Sequence, residues 1–347
     1  MTITFKDFLV EFIHNPSLII ITILISGVIF VNGLADAPNA IATCVSTRCL
    51  SPKKAIFMSA IGNFLGIFIM TYISSNVAET IFKIANFGDN SSLALKSLCA
   101  ALFSIVIWSG ITGHFGIPTS QSHALIAGMS GSAIAICNGF YALNIGELIK
   151  VIIGLIISIV IGFFLGFFNA KIIEKICKNI ERPKTIKFFR KSQIISSGIM
   201  AFMNGAQDGQ KFMGVFLLGI FFSKQNMELT GFQIPIWMMF MCFILMALGT
   251  AVGGYKIIKT VGMKMVKLEV YQGAIVDISC SICLFISSIL GIPISSSHTK
   301  TTTIMGVGAS RNLHNVNWNV VKNMILAWVL TFPGCGFLSY IITNIFV

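Results

Sequence analysis

Long apolar stretches restrict how this chain can fold more than any other feature of its sequence. A helix of about 20 apolar residues crosses the hydrocarbon core of a bilayer. The chain holds eight such candidates, at 17–34, 53–75, 97–112, 147–169, 193–220, 234–253, 271–290 and 320–346. Charged residues make up only 10% of the 347 residues, against about 25% in a soluble domain. The sequence therefore predicts an all-α polytopic membrane protein and excludes a nucleic-acid-binding domain.

Two further apolar segments, 116–136 and 292–310, are interrupted by Gly, Ser and Thr. Irregular backbone is tolerated at membrane depth only where it is buried in protein or lines a cavity. We therefore expect these segments to lie inside the molecule rather than against lipid.

The excess of basic residues, a net charge of +12, indicates orientation. Positive residues concentrate in cytoplasmic loops of membrane proteins. Segment 171–192 contains eight basic and two acidic residues, and two smaller clusters contain Arg48, Lys53 and Lys54, and Lys256, Lys259, Lys264 and Lys267. We predict a cytoplasmic linker at 171–192 between a first repeat (1–170) and a second, inverted repeat (193–347), with both termini outside.

The two halves share two motifs in the same order. N-G-x-x-D occurs at 32–36 and at 204–208, and G-I-P-x-S-x-S-H occurs at 116–123 and at 291–298. Internal symmetry between halves of opposite orientation is typical of secondary transporters. The duplication therefore favours a transport function.

Asp36 and Asp208 end the first motif in each half and directly follow apolar runs. An ionised carboxylate costs about 2.5–3.5 kcal/mol at the bilayer centre. We interpret both as cation ligands, with Asn39 or main-chain carbonyls as further ligands; the alternative is a helix cap. Lys211 replaces Asn39 in the second half and must pair with a carboxylate or an anion. We expect it to supply charge that would otherwise need a second cation.

The hydroxyl-rich motifs resemble helix starts, where free N–H groups bind anions. The alternative is ordinary helix capping. The predicted anion-binding residues, taken with Lys211, are Thr119, Ser120, Gln121, Ser122, Ser295, Ser296 and Ser297. His123 and His298 are predicted to support the hairpins, with a proton site as the alternative. Asp277 and Lys300 have no charged counterpart in the first half and are expected to pair with each other or with the site.

Residues 32–48 and 208–214, both G-I-P-x-S-x-S-H motifs and residues 249–262 resemble signatures of the inorganic phosphate transporter (PiT) family. The resemblance implies two inverted-topology repeats, each with a Ser/Thr-rich re-entrant helical hairpin, commonly in a homodimer. It also implies cation sites at Asp36, Asn39 and Asp208, which would hold sodium if sodium is the coupling ion, and serines around phosphate. We assign Asn32 and Asn204, one turn before each Asp, to the same cation sites. Ala35 and Gln207 depart from the family pattern beside the two carboxylates.

The predicted function is import of inorganic phosphate across the plasma membrane, coupled to sodium or protons by alternating access. The expected partners are phosphate, the coupling ions, the lipid bilayer and a second copy of the chain, with no other cofactor. A sulfate or other oxyanion permease of the same fold and a passive anion channel are the alternatives. An aspartyl-protease dyad would leave the duplicated serine motifs without a role, so we expect no enzymatic activity.

Overall fold

The computed structural model describes residues 4–88, 90–114, 119–224, 233–253, 258 and 265–347. Regular secondary structure in these ranges is helical, apart from two isolated β-bridges. Residues 116–118 of the first serine motif, Lys256, Lys259, Lys264 and most of the 249–262 signature after Gly253 lie outside the described residues.

Eight helices belong to the described part of the first half. They are α1 (Phe5–His14), α2 (Pro16–Ala35), α3 (Ala37–Ser46), α4 (Pro52–Ile73), α5 (Asn76–Lys83), α6 (Ser91–His114), α7 (Gln121–Cys137) and α8 (Ile145–Cys177). The described part of the second half contains α9 (Arg182–Ser223), α10 (Ile236–Gly253), α11 (Val270–Ile289), α12 (Ser296–Arg311) and α13 (Trp318–Phe346).

Six helical segments within the described residues are long and apolar enough to cross a membrane: Pro16–Ser46, Pro52–Ile73, Ser91–Thr112, Ile145–Cys177, Val270–Ile289 and Trp318–Phe346. The predicted span 234–253 is helical, but its apolar part, Ile236–Val252, is shorter. The predicted span 193–220 lies in the 42-residue α9 and is not among the six. Every residue from 203 to 220 is buried in protein, so this helix does not need an apolar surface.

The basic segment 171–192 is mostly helix rather than loop. α8 continues to Cys177 and α9 begins at Arg182, which leaves a short turn between them. The side chains of this segment are largely exposed, as expected for a charged connection between the halves.

Two helical hairpins return to the side on which they began. Before and after α6–α7, Ala85 and Leu143 form a β-bridge, and the N–H of Asn144 donates to the carbonyl of Ile84 at 3.1 Å. Before and after α11–α12, Val266 and Val316 form the equivalent bridge. These main-chain contacts fix both ends of each hairpin.

Helices of the two halves pack against one another throughout the molecule. α7 packs along α13, α12 along α8, α4 along α9, and α2 along α10. Every one of these pairs joins one half to the other, so the hairpin tips are enclosed by helices from both halves.

Candidate functional site

The chain breaks its helix at the first buried carboxylate but not at the second. Asp36 lies between α2 and α3, and Pro38 follows at the start of α3. Proline lacks the N–H that would bond the carbonyl of Leu34, which favours an interruption here. Asp208 instead lies within the continuous α9. The two residues are 2% and 0% exposed, so both carboxylates depend on protein partners.

Asp36 is held by the second hairpin and by its own motif. Its Oδ1 accepts a hydrogen bond from Ser297 Oγ at 2.5 Å, and its Oδ2 accepts one from Asn32 Nδ2 at 3.2 Å. Asn39 Nδ2 donates to Ser297 Oγ at 2.9 Å. The Oδ1 atoms of Asn32 and Asn39 are buried with no hydrogen-bond partner among the described residues. Carboxylate and amide oxygens of this kind are ligands for hard cations.

Asp208 is held by a lysine and a serine. Its Oδ1 accepts from Lys211 Nζ at 2.8 Å and its Oδ2 from Ser296 Oγ at 3.1 Å. Lys211 Nζ also donates to Ser122 Oγ at 2.7 Å and to the carbonyl of Ile294 at 2.5 Å. The predicted pairing of Lys211 with a carboxylate is therefore present, and both hairpins reach it.

The remaining predicted anion-binding residues support the hairpins. Ser120 and Ser295 cap α7 and α12, each accepting a hydrogen bond at 3.3 Å from the N–H three residues later. Gln121 Oε1 accepts from Ser109 Oγ at 2.7 Å, and Thr119 Oγ1 lies 3.1 Å from Thr112 Oγ1. Of the predicted serines, Ser122, Ser296 and Ser297 reach the two carboxylate clusters.

The two histidines bring the starts of α7 and α12, at the hairpin tips, together. The rings of His123 and His298 meet edge to face with centroids 4.2 Å apart. His298 stacks on Trp328 at 3.8 Å, and His123 lies 4.8 Å from the ring of Phe332. Both hairpins are therefore anchored to α13 through aromatic contacts.

Asn204 differs in its hydrogen bonding from Asn32, its counterpart in the first half. Asn32 donates to Asp36, whereas both side-chain polar atoms of Asn204 are buried without a partner among the described residues. Lys211 and Ser296 take the two oxygens of Asp208 instead.

Sequence comparison assigns this chain to a family. A model described as "Phosphate transporter family" matches residues 32–339, which include both motifs of each half. The chain belongs to the phosphate transporter family. The family consists of transporters, so the prediction that this chain is not an enzyme is confirmed.

Relatives of this phosphate transporter family member match it over nearly its whole length. A Bacillus subtilis (strain 168) protein named "Probable low-affinity inorganic phosphate transporter" is 38% identical over 334 residues, covering 94% of this chain and 98% of that protein. A Rhizobium meliloti (strain 1021) protein of the same name is 36% identical and covers 89% and 90%. A solved structure titled "The sodium-dependent phosphate transporter" shares the fold, with a TM-score of 0.87 at 22% identity and coverage of 95% and 99%.

A second buried polar cluster of the transporter surrounds Asp277. Lys300 forms an ion pair with Asp277, and both side chains are fully buried. The carboxylate also accepts hydrogen bonds from Thr43 (2.9 Å), Gln193 (2.9 Å) and Ser197 (2.5 Å). Asp277 and Lys300 therefore pair with each other, and their cluster joins α3, α9, α11 and α12. The three neutral members were not predicted, although Gln193 and Ser197 are one turn apart on α9.

Gln207 of the transporter supports the second hairpin rather than the adjacent carboxylate. Its Nε2 lies 2.9 Å from Ser288 Oγ, 3.3 Å from Ser287 Oγ and 3.4 Å from the carbonyl of Ile292. The residue that departs from the family pattern beside Asp208 therefore contacts the end of α11.

Proposed function

We propose that this transporter imports inorganic phosphate coupled to sodium ions or protons by alternating access. The observation that carries the proposal is that each hairpin tip contacts a charged residue of the other half. Ser297 of the second half binds Asp36 of the first, and Ser122 of the first half binds Lys211 of the second. A movement of one half against the other would therefore change the surroundings of both carboxylates.

The cation would bind at Asp36. This carboxylate lies beside the hydroxyl of Ser297 and the amide oxygens of Asn32 and Asn39, which have no hydrogen-bond partner within the described part of the chain. A sodium ion there would use oxygen ligands, and a proton would bind the carboxylate directly. Either ion removes the negative charge that would otherwise repel phosphate.

Phosphate would bind between the starts of α7 and α12. Helix N-termini present free N–H groups and positive partial charge to an anion. Ser122, Ser296 and Ser297 bring hydroxyl groups to the same place, where those of Ser296 and Ser297 donate to the two carboxylates and would turn to phosphate when it binds, and Lys211 offsets the charge of Asp208. The site combines hydrogen-bond donors with a neutralised carboxylate, which suits an oxyanion loaded after its cation.

Coupling follows when the cation binds one state better than the other, since a ligand shifts an equilibrium only by its differential affinity.

The hairpins begin and end at bridges 85–143 and 266–316, and α8 separates these two bridges along the chain. We propose inverted repeats in the plasma membrane, with the basic segment 171–192 in the cytoplasm and the chain as a homodimer.

The proposal is tested by uptake of labelled phosphate into liposomes that contain purified protein. We expect Asp36→Asn and Asp208→Asn to abolish cation-dependent uptake while the protein remains monodisperse in detergent. Asp7→Asn is the control, because Asp7 is an exposed carboxylate near the start of the chain. Imposed sodium and pH gradients, applied separately, identify the coupling ion.

Three outcomes would contradict parts of the proposal. Wild-type uptake by both site variants would exclude the carboxylates as coupling residues. Net uptake down a phosphate gradient at a rate that imposed sodium and pH gradients leave unchanged would indicate a passive channel. Strong competition by sulfate with weak competition by unlabelled phosphate would assign another oxyanion as substrate.

A further inference from the structure

The two halves place different side chains at one equivalent position. Asn39 lies three residues after Asp36, and Lys211 lies three residues after Asp208. Asn39 donates to Ser297, and its amide oxygen has no partner in the described ranges. Lys211 instead binds the carboxylate of its own half at 2.8 Å. The first half thus has an uncharged oxygen donor where the second half has a cation.

The ammonium of Lys211 has the surroundings of a bound metal cation. Its three oxygen contacts are Asp208 Oδ1 at 2.8 Å, Ser122 Oγ at 2.7 Å and the carbonyl of Ile294 at 2.5 Å. Carboxylate, hydroxyl and main-chain carbonyl oxygens are the ligands that proteins offer to hard cations. A lysine ammonium has three N–H donors, and these three contacts use all of them.

The asparagine side chains of the two motifs also fit a cation site in each half. The buried amide oxygens of Asn32 and Asn39 have no hydrogen-bond partner among the described residues, and Asn32 donates to the carboxylate of Asp36. Asn204 occupies the place of Asn32 in the second half and is also buried with no hydrogen-bond partner among the described residues. The second half therefore repeats the Asn and the Asp of this motif, and Lys211 binds its carboxylate.

We propose that Lys211 is a tethered cation that permanently fills the cation site of the second half. Sodium ions then bind and leave at Asp36, and Asp208 stays neutralised throughout the transport cycle. The proposal deepens the function above and rests on it for the role of the Asp36 site. Because the three N–H groups of Lys211 are used, it does not contact phosphate directly in this conformation and acts by preventing Asp208 from repelling the anion.

The test restores the first-half residue in the second half. Lys211→Asn removes the ammonium and gives Asp208 the neighbour that Asp36 has. Sodium bound per chain is counted by equilibrium dialysis of purified protein against labelled sodium, without phosphate. We expect this variant to bind one more sodium ion than wild type. Lys83→Asn is the control, because Lys83 pairs with Glu79 at the surface and its loss creates no buried site.

The converse variant tests the proposal even if Lys211→Asn does not fold. Asn39→Lys places an ammonium beside Asp36 and is expected to bind one sodium ion fewer than wild type. The proposal is overturned if folded Lys211→Asn protein binds no more sodium than wild type. If that variant does not fold, the proposal is overturned when Asn39→Lys binds as much sodium as wild type.

The sodium count does not depend on phosphate transport, so the two proposals fail separately. A gain of sodium in Lys211→Asn with no phosphate uptake by wild type would reject the proposed function and keep the tethered cation. Normal wild-type uptake with an unchanged sodium count in the variant would do the reverse.

Discussion

At the scale of single residues, two completely buried lysines each pair with a buried carboxylate. Lys211 pairs with Asp208, and Lys300 pairs with Asp277. Removing one member of a buried pair leaves an unpaired charge in a medium that solvates it poorly. Replacing both members with neutral residues avoids that penalty. The Asp277 cluster offers a test of this asymmetry, because its side chains form their hydrogen bonds, within the described part of the chain, without the residues that we assign to transport.

We expect Asp277→Asn to lower the free energy of unfolding by about 3–5 kcal/mol, because it leaves the Lys300 ammonium buried without its counter-charge. The double variant Asp277→Asn with Lys300→Met should recover most of that loss, since no buried charge remains. Thermal unfolding of both variants in the same detergent gives the comparison through the shift in Tm.

An exposed ion pair provides the control for this prediction. Glu79→Gln breaks the surface pair with Lys83 and should change the free energy of unfolding by less than about 1 kcal/mol. A double variant as unstable as Asp277→Asn alone would show that the neutral partners of Asp277, rather than the ion pair, determine the loss.

Sequence patterns identified which residues share a chemistry and two ion pairs within the second half, but not the contacts between the halves. The duplicated motif singled out Asp36 and Asp208, and both are buried. The contact between Asp36 and Ser297 joins positions 261 residues apart and depends on how the halves pack. No local pattern predicts such a pairing. The ring contact between His123 and His298 was unpredicted for the same reason.

At the scale of helices, glycines let the two halves approach closely. A Cβ added at Gly306 of α12 would lie 2.0 Å from the carbonyl oxygen of Phe163 in α8, and one at Gly131 of α7 would lie 2.1 Å from that of Gly336 in α13. Small residues allow backbones of membrane helices to pack at short distance, where dispersion and hydrogen bonds hold them. Both hairpin helices are fixed to the opposite half in this way.

We expect Gly306→Ala to lower the free energy of unfolding by about 1–3 kcal/mol, because the added methyl group forces α12 away from α8. Gly110→Ala is the matched control, since a Cβ there meets nothing within 4 Å. Alanine also favours helix over glycine by about 1 kcal/mol, so this control should unfold at the same or a higher temperature.

Equal destabilisation by the two substitutions would contradict the close packing of α12 on α8. Tm in detergent is the measurement for both variants. Phosphate uptake into liposomes would also fall for Gly306→Ala if α12 must keep its place for Ser296 and Ser297 to reach the carboxylates.

Helices were predictable where apolar residues form long runs, and their ends were not. α8 and α9 extend the predicted spans into the basic segment because helical hydrogen bonds continue where the hydrophobic pattern stops. The short helices α1 and α5 carry charged residues and lack a long apolar run, so hydropathy does not reveal them.

At the scale of the whole molecule, the hairpins lie toward opposite ends of α8. The first hairpin ends directly before α8 begins at Ile145. The second hairpin lies at the other end, where Tyr271 and Arg311 both hydrogen-bond to Glu174 near the C-terminal end of α8 at 2.5 and 2.8 Å. A 33-residue helix is about 50 Å long at 1.5 Å per residue, more than the thickness of a bilayer. This arrangement supports the predicted inversion of the two halves.

The basic segment 171–192 predicts which end of α8 faces the cytoplasm. We expect a cysteine at Lys187 to react with a membrane-impermeant maleimide only after cells are permeabilised, because positive segments remain inside. A cysteine at Phe140, 73% exposed near the other end of α8, should react in intact cells. Both substitutions are made with Cys137 and Cys177 replaced by serine, since these partly exposed thiols lie nearby. The reverse labelling pattern would show that the basic segment lies outside the cell and would contradict the predicted orientation. Labelling of both positions in intact cells would show that α8 does not cross the bilayer.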